Sequence, residues 1–290
     1  MKMGSSKVAL AALLLVTAIT AGMSVSSGAA RPRIPVPPPI NKCKLLVKTE
    51  VKVKGRLTVA TDSPALPPWF VSNNPANQKG YESAIAYHIA GTLGLRASQV
   101  VWYSEPYWLS ETAGHKPFDF DINELIYNPK LTSKVTFSRS YFNVNQSLVT
   151  VKGDAIITKH SPSALRTYLY GDVASSPGLA FIKGTIKPTR PPIVYTTMAL
   201  AIAALEAKKI DAIVVDTPSG QYIASQQLSD GVQPAQFHTT SEHYSLVLQR
   251  SNPLTACLNA ALLSMSKKGV LSALSKKYLT IYNSIPVIKP

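Results

Sequence analysis

Apolar and polar positions alternate across GRLTVATD, with Leu57, Val59 and Thr61 set against Arg56, Thr58 and Ala60. Period-two alternation of this kind predicts a strand, here ending at Asp62. The proline- and asparagine-rich SPALPPWFVSNNPANQKG that follows predicts a loop. The spacing then becomes helical in YESAIAYHIAGTLGL, where Ala84, Ile85, Ile89 and Leu93 repeat on one face and Gly94 stands at the cap. Residues 99–103 and 118–122 predict two further strands. Strand, helix, strand, strand opens an α/β unit.

A second unit begins near residue 154. In SSPGLAFIKGTI, Ser176 sits at a helix N-cap and Pro177 at the first helical position. TTMALAIAALEAKKI is the clearest amphipathic helix of the chain. IDAIVVD, residues 210–216, is almost wholly apolar and ends in an acid, the pattern of a strand buried on both faces of a parallel sheet. HYSLVLQRSN predicts a strand, and LTACLNAALLSMSKKGVLSALSKKYL two closing helices broken at Gly269. The fold class is therefore α/β.

The first 30 residues stand apart. Lys2 and Lys7 precede the apolar run from Val8 to Ala21, and SVSSGAA supplies small residues, which together predict a signal peptide cleaved near Ala29 or Ala30. An uncleaved anchor is the alternative, although the run is short for a span of about 20 residues. RPRIPVPPPINK, residues 31–42, predicts an extended tether. The whole is 290 residues, 46% hydrophobic, enough for one large domain or two smaller ones.

An exported chain with two cysteines suggests one disulfide, Cys43 to Cys257, tying the N-terminal arm to a C-terminal helix. Two free thiols are the alternative; a lipid on Cys43 is excluded because no small-residue lipobox precedes it. The net charge of +15 is spread as single lysines and arginines with no nucleic-acid motif, which suits a solvated basic surface near an anionic envelope better than a nucleic-acid partner. The five histidines have no metal-ligand spacing, and no phosphate loop or nucleophile elbow occurs. No cofactor or metal is expected.

GRLTVATDSPALPPWF, KGYESAIAYHIAGTLGL, FDFDIN and VTFSRSYFNVNQSLVT, in that order, resemble the extracellular solute-binding proteins of family 3, the polar amino acid receptors of ABC importers. ALEAKKIDAIVVDTPSGQY, HYSLVLQRSNPLTACLNAAL and KKGVLSALSKKYL extend the resemblance over residues 43–280, and the cysteine pair resembles the actinobacterial branch. The resemblance implies a type 2 periplasmic-binding-protein fold of two α/β lobes joined by a two-strand hinge. Lobe 1 would comprise residues 43–150 plus 249–280 and lobe 2 residues 151–248, leaving a tail at 281–290. The crossovers would lie near 149–153 and 245–249. The implied function is a monomeric, non-enzymatic, extracytoplasmic receptor that closes about an amino acid or related amine and docks on a membrane permease.

Ligands of such sheets bind beyond the carboxyl ends of the strands. That places Asp62, Asn123 with Glu124, Ser176 and Asp216 at the site, with Trp69 as a possible wall and Phe70 as core. The resemblance gives Asp216 the ligand's ammonium group; capping the next helix through Ser219 is its plainer role. The family's carboxylate-clamping arginine corresponds to Leu131, its preceding threonine to Asn128 and its stacking aromatic to Leu66. Leucine cannot reproduce the planar fork of a guanidinium. Lys130 and Arg139 are the nearest cations, read more simply as surface charges. An acidic cleft of Asp62, Glu124 and Asp216 implies a cationic solute. The alternatives are an envelope interaction protein that kept the fold and lost the site, or a dehydratase-like enzyme using Glu124 as an acid.

Overall fold

A computed structural model describes residues 37–174, 176–239 and 242–289. The expected leader and its cleavage site, and the tether up to residue 36, lie outside the described residues.

The chain opens with helix α1 (Ile40–Leu46) and strand β1 (Leu57–Thr61), then runs through α2 (Tyr81–Thr92), β2 (Val100–Ser104), the single turn α3 (Tyr107–Ser110), β3 (Phe120–Asp121) and the long β4 (Val135–Asn143). It continues with β5 (Gln146–Val151), α4 (Pro162–Leu165), β6 (Gly171–Val173), α5 (Pro177–Phe181), β7 (Ile193–Tyr195), α6 (Met198–Glu206), β8 (Ile213–Asp216), α7 (Thr217–Tyr222) and β9 (Gly231–Phe237). Strand β10 (His243–Gln249) then leads to α8 (Thr255–Lys267), α9 (Val270–Tyr278), α10 (Thr280–Asn283) and β11 (Val287–Ile288).

Two sheets divide these strands. The first has the order β2-β1-β3-β10-β4, with β1 parallel to β2 and β3, and β10 antiparallel to β3 and β4. The second has the order β11-β9-β5-β8, accompanied by the parallel pair β6-β7. The chain thus passes from the first lobe to the second between Asn143 and Gln146, and returns between Phe237 and His243. Both crossovers fall earlier than the sequence suggests. β5 pairs with β8 and β9 along its length, so residues 146–150 belong to lobe 2, and β10 pairs with β4, so residues 243–248 belong to lobe 1. The tail also differs from expectation: β11 pairs with β9, and Gln236 N–H donates to Pro286 O at 2.8 Å.

Each lobe has its own core. In lobe 1, Leu57 and Val59 of β1, Ile85 and Ile89 of α2, and Leu258 and Leu262 of α8 are buried together. In lobe 2 the run IDAIVVD is buried on both faces, as its composition implies. Ile213 and Val215 pack on one side, Val214 on the other. Its partner β5 is antiparallel, however, and only the Tyr170–Ala212 bridge links this strand segment to β6 in parallel fashion. Gly269, at φ +72°, separates α8 from α9 as expected. The Cys43–Cys257 disulfide is formed and ties α1 to α8. Among the described residues no helix is long and apolar enough to cross a membrane.

Candidate functional site

A cavity of about 500 Å³ opens between the lobes. Trp69, Glu124 and Ile126 come to it from lobe 1, Gln146 and Glu242 from the ends of the two crossovers, and Asp172, Ser176 and Asp216 from lobe 2. Tyr282, from the C-terminal α10, completes the wall.

Trp69 is held there by the start of α2. Tyr81 N–H donates to Pro68 O at 3.0 Å and Glu82 N–H to Trp69 O at 3.1 Å. These bonds bring the loop so close that a Cβ on Gly80 (φ +104°) would lie 2.3 Å from Trp69 O. Only glycine suits that turn. The indole is 3% exposed. It stacks on Tyr282, with ring centroids 5.9 Å apart, and meets Phe142 and Tyr244 edge-on. Leu66 also lines the cavity, as an exposed side chain, while Phe70 is core.

Glu124 follows β3 in the left-handed region, at φ +53°. Non-glycine residues seldom adopt that conformation unless the surroundings impose it. Here the restraint is buried Glu82, whose Oε1 accepts the Glu124 N–H at 2.7 Å and also the Tyr141 hydroxyl. Burial lifts the Glu82 carboxyl to about 7, opposed by those two hydrogen bonds. Burial, then the charges of Glu82, Asp216 and Asp62, push the Glu124 carboxyl well above its ordinary range.

On lobe 2, Asp216 caps a helix, the plainer role read for it, and also faces the cavity. Its Oδ1 accepts Ser219 N–H at 2.9 Å, capping α7, and its side chain lines the cavity. Ser176 caps α5 by accepting Leu179 N–H at 3.0 Å, and its hydroxyl donates to Asp172 Oδ1 at 2.9 Å. Burial raises the Asp172 carboxyl, against hydrogen bonds from Val173 N–H and the Ser176 hydroxyl. Glu242 accepts Gln146 Nε2–H at 2.6 Å. Burial raises its carboxyl too, assisted by the charge of Asp216.

Four carboxylates therefore line the cavity, and among the described lining residues there is no lysine or arginine. Sequence reading places Glu124, Asp216, Ser176 and Trp69 here and misses Asp172, Glu242, Gln146 and Tyr282. Two expected residues do not line it. Asp62 turns back to accept Ser63 N–H at 2.6 Å, and Asn123 is partly buried beneath the loop with its Nδ2 unpartnered. Leu131 packs against Leu125, Val135 and Val247, while Asn128 caps the turn at residues 129–131 by accepting Lys130 N–H. Lys130 and Arg139 are exposed and outside the cavity. Among the described residues no three His, Cys, Asp or Glu side chains are grouped to hold a metal ion.

The lobe 2 wall depends on Gly178. A Cβ there would stand 1.7 Å from Val214 O and 2.4 Å from Asp172 Oδ2. Gly178→Ala should therefore push α5 off β8 and cost at least about 1–3 kcal/mol, read as a lower denaturant midpoint.

No curated protein matches the chain. Among solved structures, the unliganded open form of the L-cystine solute receptor of Neisseria gonorrhoeae superposes with a TM-score of 0.56 at 16% identity, covering 81% of this chain and 96% of that one. An ancestral cationic amino acid solute-binding protein gives 0.54 at 20% identity, covering 82% and 99%. An amino acid ABC transporter substrate-binding protein from Streptococcus pneumoniae, bound to L-arginine, gives 0.51 at 18% identity, covering 81% and 96%. These likenesses establish the two-lobed type 2 periplasmic-binding-protein fold. The sequence itself matches a family description over residues 57–281, both lobes and their crossovers included, and on that match the chain belongs to the bacterial extracellular solute-binding proteins, family 3.

Proposed function

We propose that this solute-binding protein is the extracytoplasmic receptor of an ABC importer and captures an amino acid or related amine bearing a positive charge. The two lobes close on the solute about the crossover strands, and the closed form docks on a membrane permease. The family is one of solute binders, not of enzymes.

One observation carries the reading: the cavity presents Glu124, Asp172, Asp216 and Glu242 with no cationic side chain among its described lining residues. Carboxylates withdrawn from water need partners, and an unpaired buried charge costs several kcal/mol. A cationic solute supplies the partner when it arrives. Each ammonium-to-carboxylate hydrogen bond is charge-assisted and stronger than a neutral one. The aromatic wall of Trp69 and Tyr282 adds apolar surface for the solute's methylene chain and π faces for its charge.

A thermal-shift panel on the exported chain tests this. Lysine, arginine, ornithine and polyamines are expected to raise the melting temperature, and glutamate and glutamine to leave it unchanged. Solute at 100 times its dissociation constant adds about 2.7 kcal/mol. Asp216→Asn keeps a good helix cap and removes the charge. It should weaken cation binding by roughly 10- to 100-fold, the range of a charged hydrogen bond worth about 1.5–3 kcal/mol. Stabilisation by neutral amino acids alone would contradict the reading. Silence across the panel would favour an envelope protein that retains only the fold.

A further inference from the structure

The polar groups around the cavity are one-sided in hydrogen bonding as well as in charge. Gln146 is 1% exposed; its Nε2 is taken up by Glu242, while its Oε1 has no partner. Asp172 is fully buried, and its Oδ2 has no well-formed hydrogen bond. Both orphans on the cavity wall are acceptors, so both call for a donor.

Most of the backbone donors at the helix starts on the wall are already used. Helices α5 and α7 each begin at the cavity, the usual place for a carboxylate to find free N–H groups. Pro177 and Pro218 have none. Leu179 N–H and Ser219 N–H are bonded to the N-cap side chains of Ser176 and Asp216, and Thr217 N–H donates to Asn145 O at 2.9 Å. Gly178 lies against the Asp172 carboxylate. A solute carboxylate would thus enter among four acidic side chains with no cation among the described lining residues to receive it.

The four acids also come from different directions: Glu124 from lobe 1, Glu242 from the returning crossover, Asp172 and Asp216 from lobe 2. They are spread around the cavity and do not group for a metal ion. Carboxylates that face the cavity from both lobes suit a cation charged at both ends better than one compact ion. Resting on the receptor reading above, we infer that the solute is an extended organic cation with at least two amino or guanidino groups and no carboxylate, of the alkyl diamine or aminoalkylguanidine class.

Calorimetric titration of the exported chain at neutral pH tests this with pairs that differ only by the carboxylate: arginine and agmatine, lysine and cadaverine, ornithine and putrescine. Glutamine and glutamate complete the set. In at least one pair the decarboxylated amine is expected to bind tenfold or more tighter than its parent, and putrescine to bind far more tightly than butylamine. Glu242→Gln and Asp172→Asn should each weaken the favoured amine about tenfold while their melting temperatures without solute stay close to that of the parent protein. Equal or tighter binding of the amino acids would overturn the inference and leave the receptor reading standing. Butylamine matching putrescine would remove the requirement for two charges. No heat from any member of the set would overturn both.

Discussion

Replacing Cys43 and Cys257 together by alanine is expected to lower the unfolding free energy by about 2–5 kcal/mol. The bridge joins residues 214 apart, so it closes almost the whole folded chain into a loop. In the chain-entropy view the constraint falls on the unfolded state and grows with loop length, to a ceiling near 5 kcal/mol for a loop this long. Both cysteines are fully buried, and Ile40, Cys43, Leu46 and Val47 pack α1 against the lobe 1 core. The single replacements are less informative, because each leaves a buried thiol without its partner. Denaturant unfolding of the double variant should show the lower midpoint. Solute affinity should be unchanged, since neither sulfur lines the cavity.

Raising the pH from about 5 to about 8 is expected to destabilise the solute-free protein by a few kcal/mol. Glu82 has an ordinary value of 4.5 and stands at about 7 in the fold, and Asp121 rises from 3.8 to about 8, in both cases chiefly through burial. Between those limits the folded chain holds protons that the unfolded chain has released. Stability is therefore greatest below the unfolded values, falls as the pH rises through the folded ones, and levels off above them. At about 1.4 kcal/mol per pH unit, Glu82 alone sets a scale of roughly 3 kcal/mol. Glu124, Asp172 and Glu242 act in the same direction. Two neighbours moderate the effect. The Lys116 ammonium lies within electrostatic reach of Asp121, and burial holds the His243 imidazole below its ordinary 6.5, so its contribution to stability rises with pH up to that ordinary value. Chemical denaturation across this range measures the slope, and Glu82→Gln should flatten it. A stability that rises steadily from about pH 5 to about pH 8 would show that these acids are ionised in the fold.

That pH response also links the fold to its solute. A cation in the cavity favours the ionised carboxylates, so it should stabilise the protein more at about pH 8 than at about pH 5 and release protons as it binds.

Much of the fold is legible in the sequence because its periodicities are local. The alternation of Leu57–Thr61, the helical repeat of α2, Ser176 and Pro177 at the start of α5, and Gly269 between the last long helices each announce an element without reference to the rest. The crossovers are not legible in the same way. Val135–Asn143 and Gln146–Val151 are separated only by Val144 and Asn145, with no glycine or proline to mark the change of sheet. Which sheet a strand joins is decided by partners far along the chain, and β11, two residues long, is too short for any pattern. The site divides similarly. Asp216 closes an apolar strand and Glu124 follows the end of another, and both draw notice there as acids at a strand's carboxyl end. Asp172 and Glu242 become part of the site through Ser176 and Gln146, contacts made once the strands have assembled. Asp62 sits at a strand end as expected, but its side chain satisfies its own loop.

A cavity lined by four acids should select for positive charge. Titrating the protein with agmatine at about pH 7.5 and about pH 5.5, in buffers of different ionisation heat, measures that selection. Saturable binding is expected at the higher pH, weaker binding at the lower, with net release of protons. No binding of agmatine, arginine or lysine at either pH, with glutamate or glutamine bound instead, would contradict it.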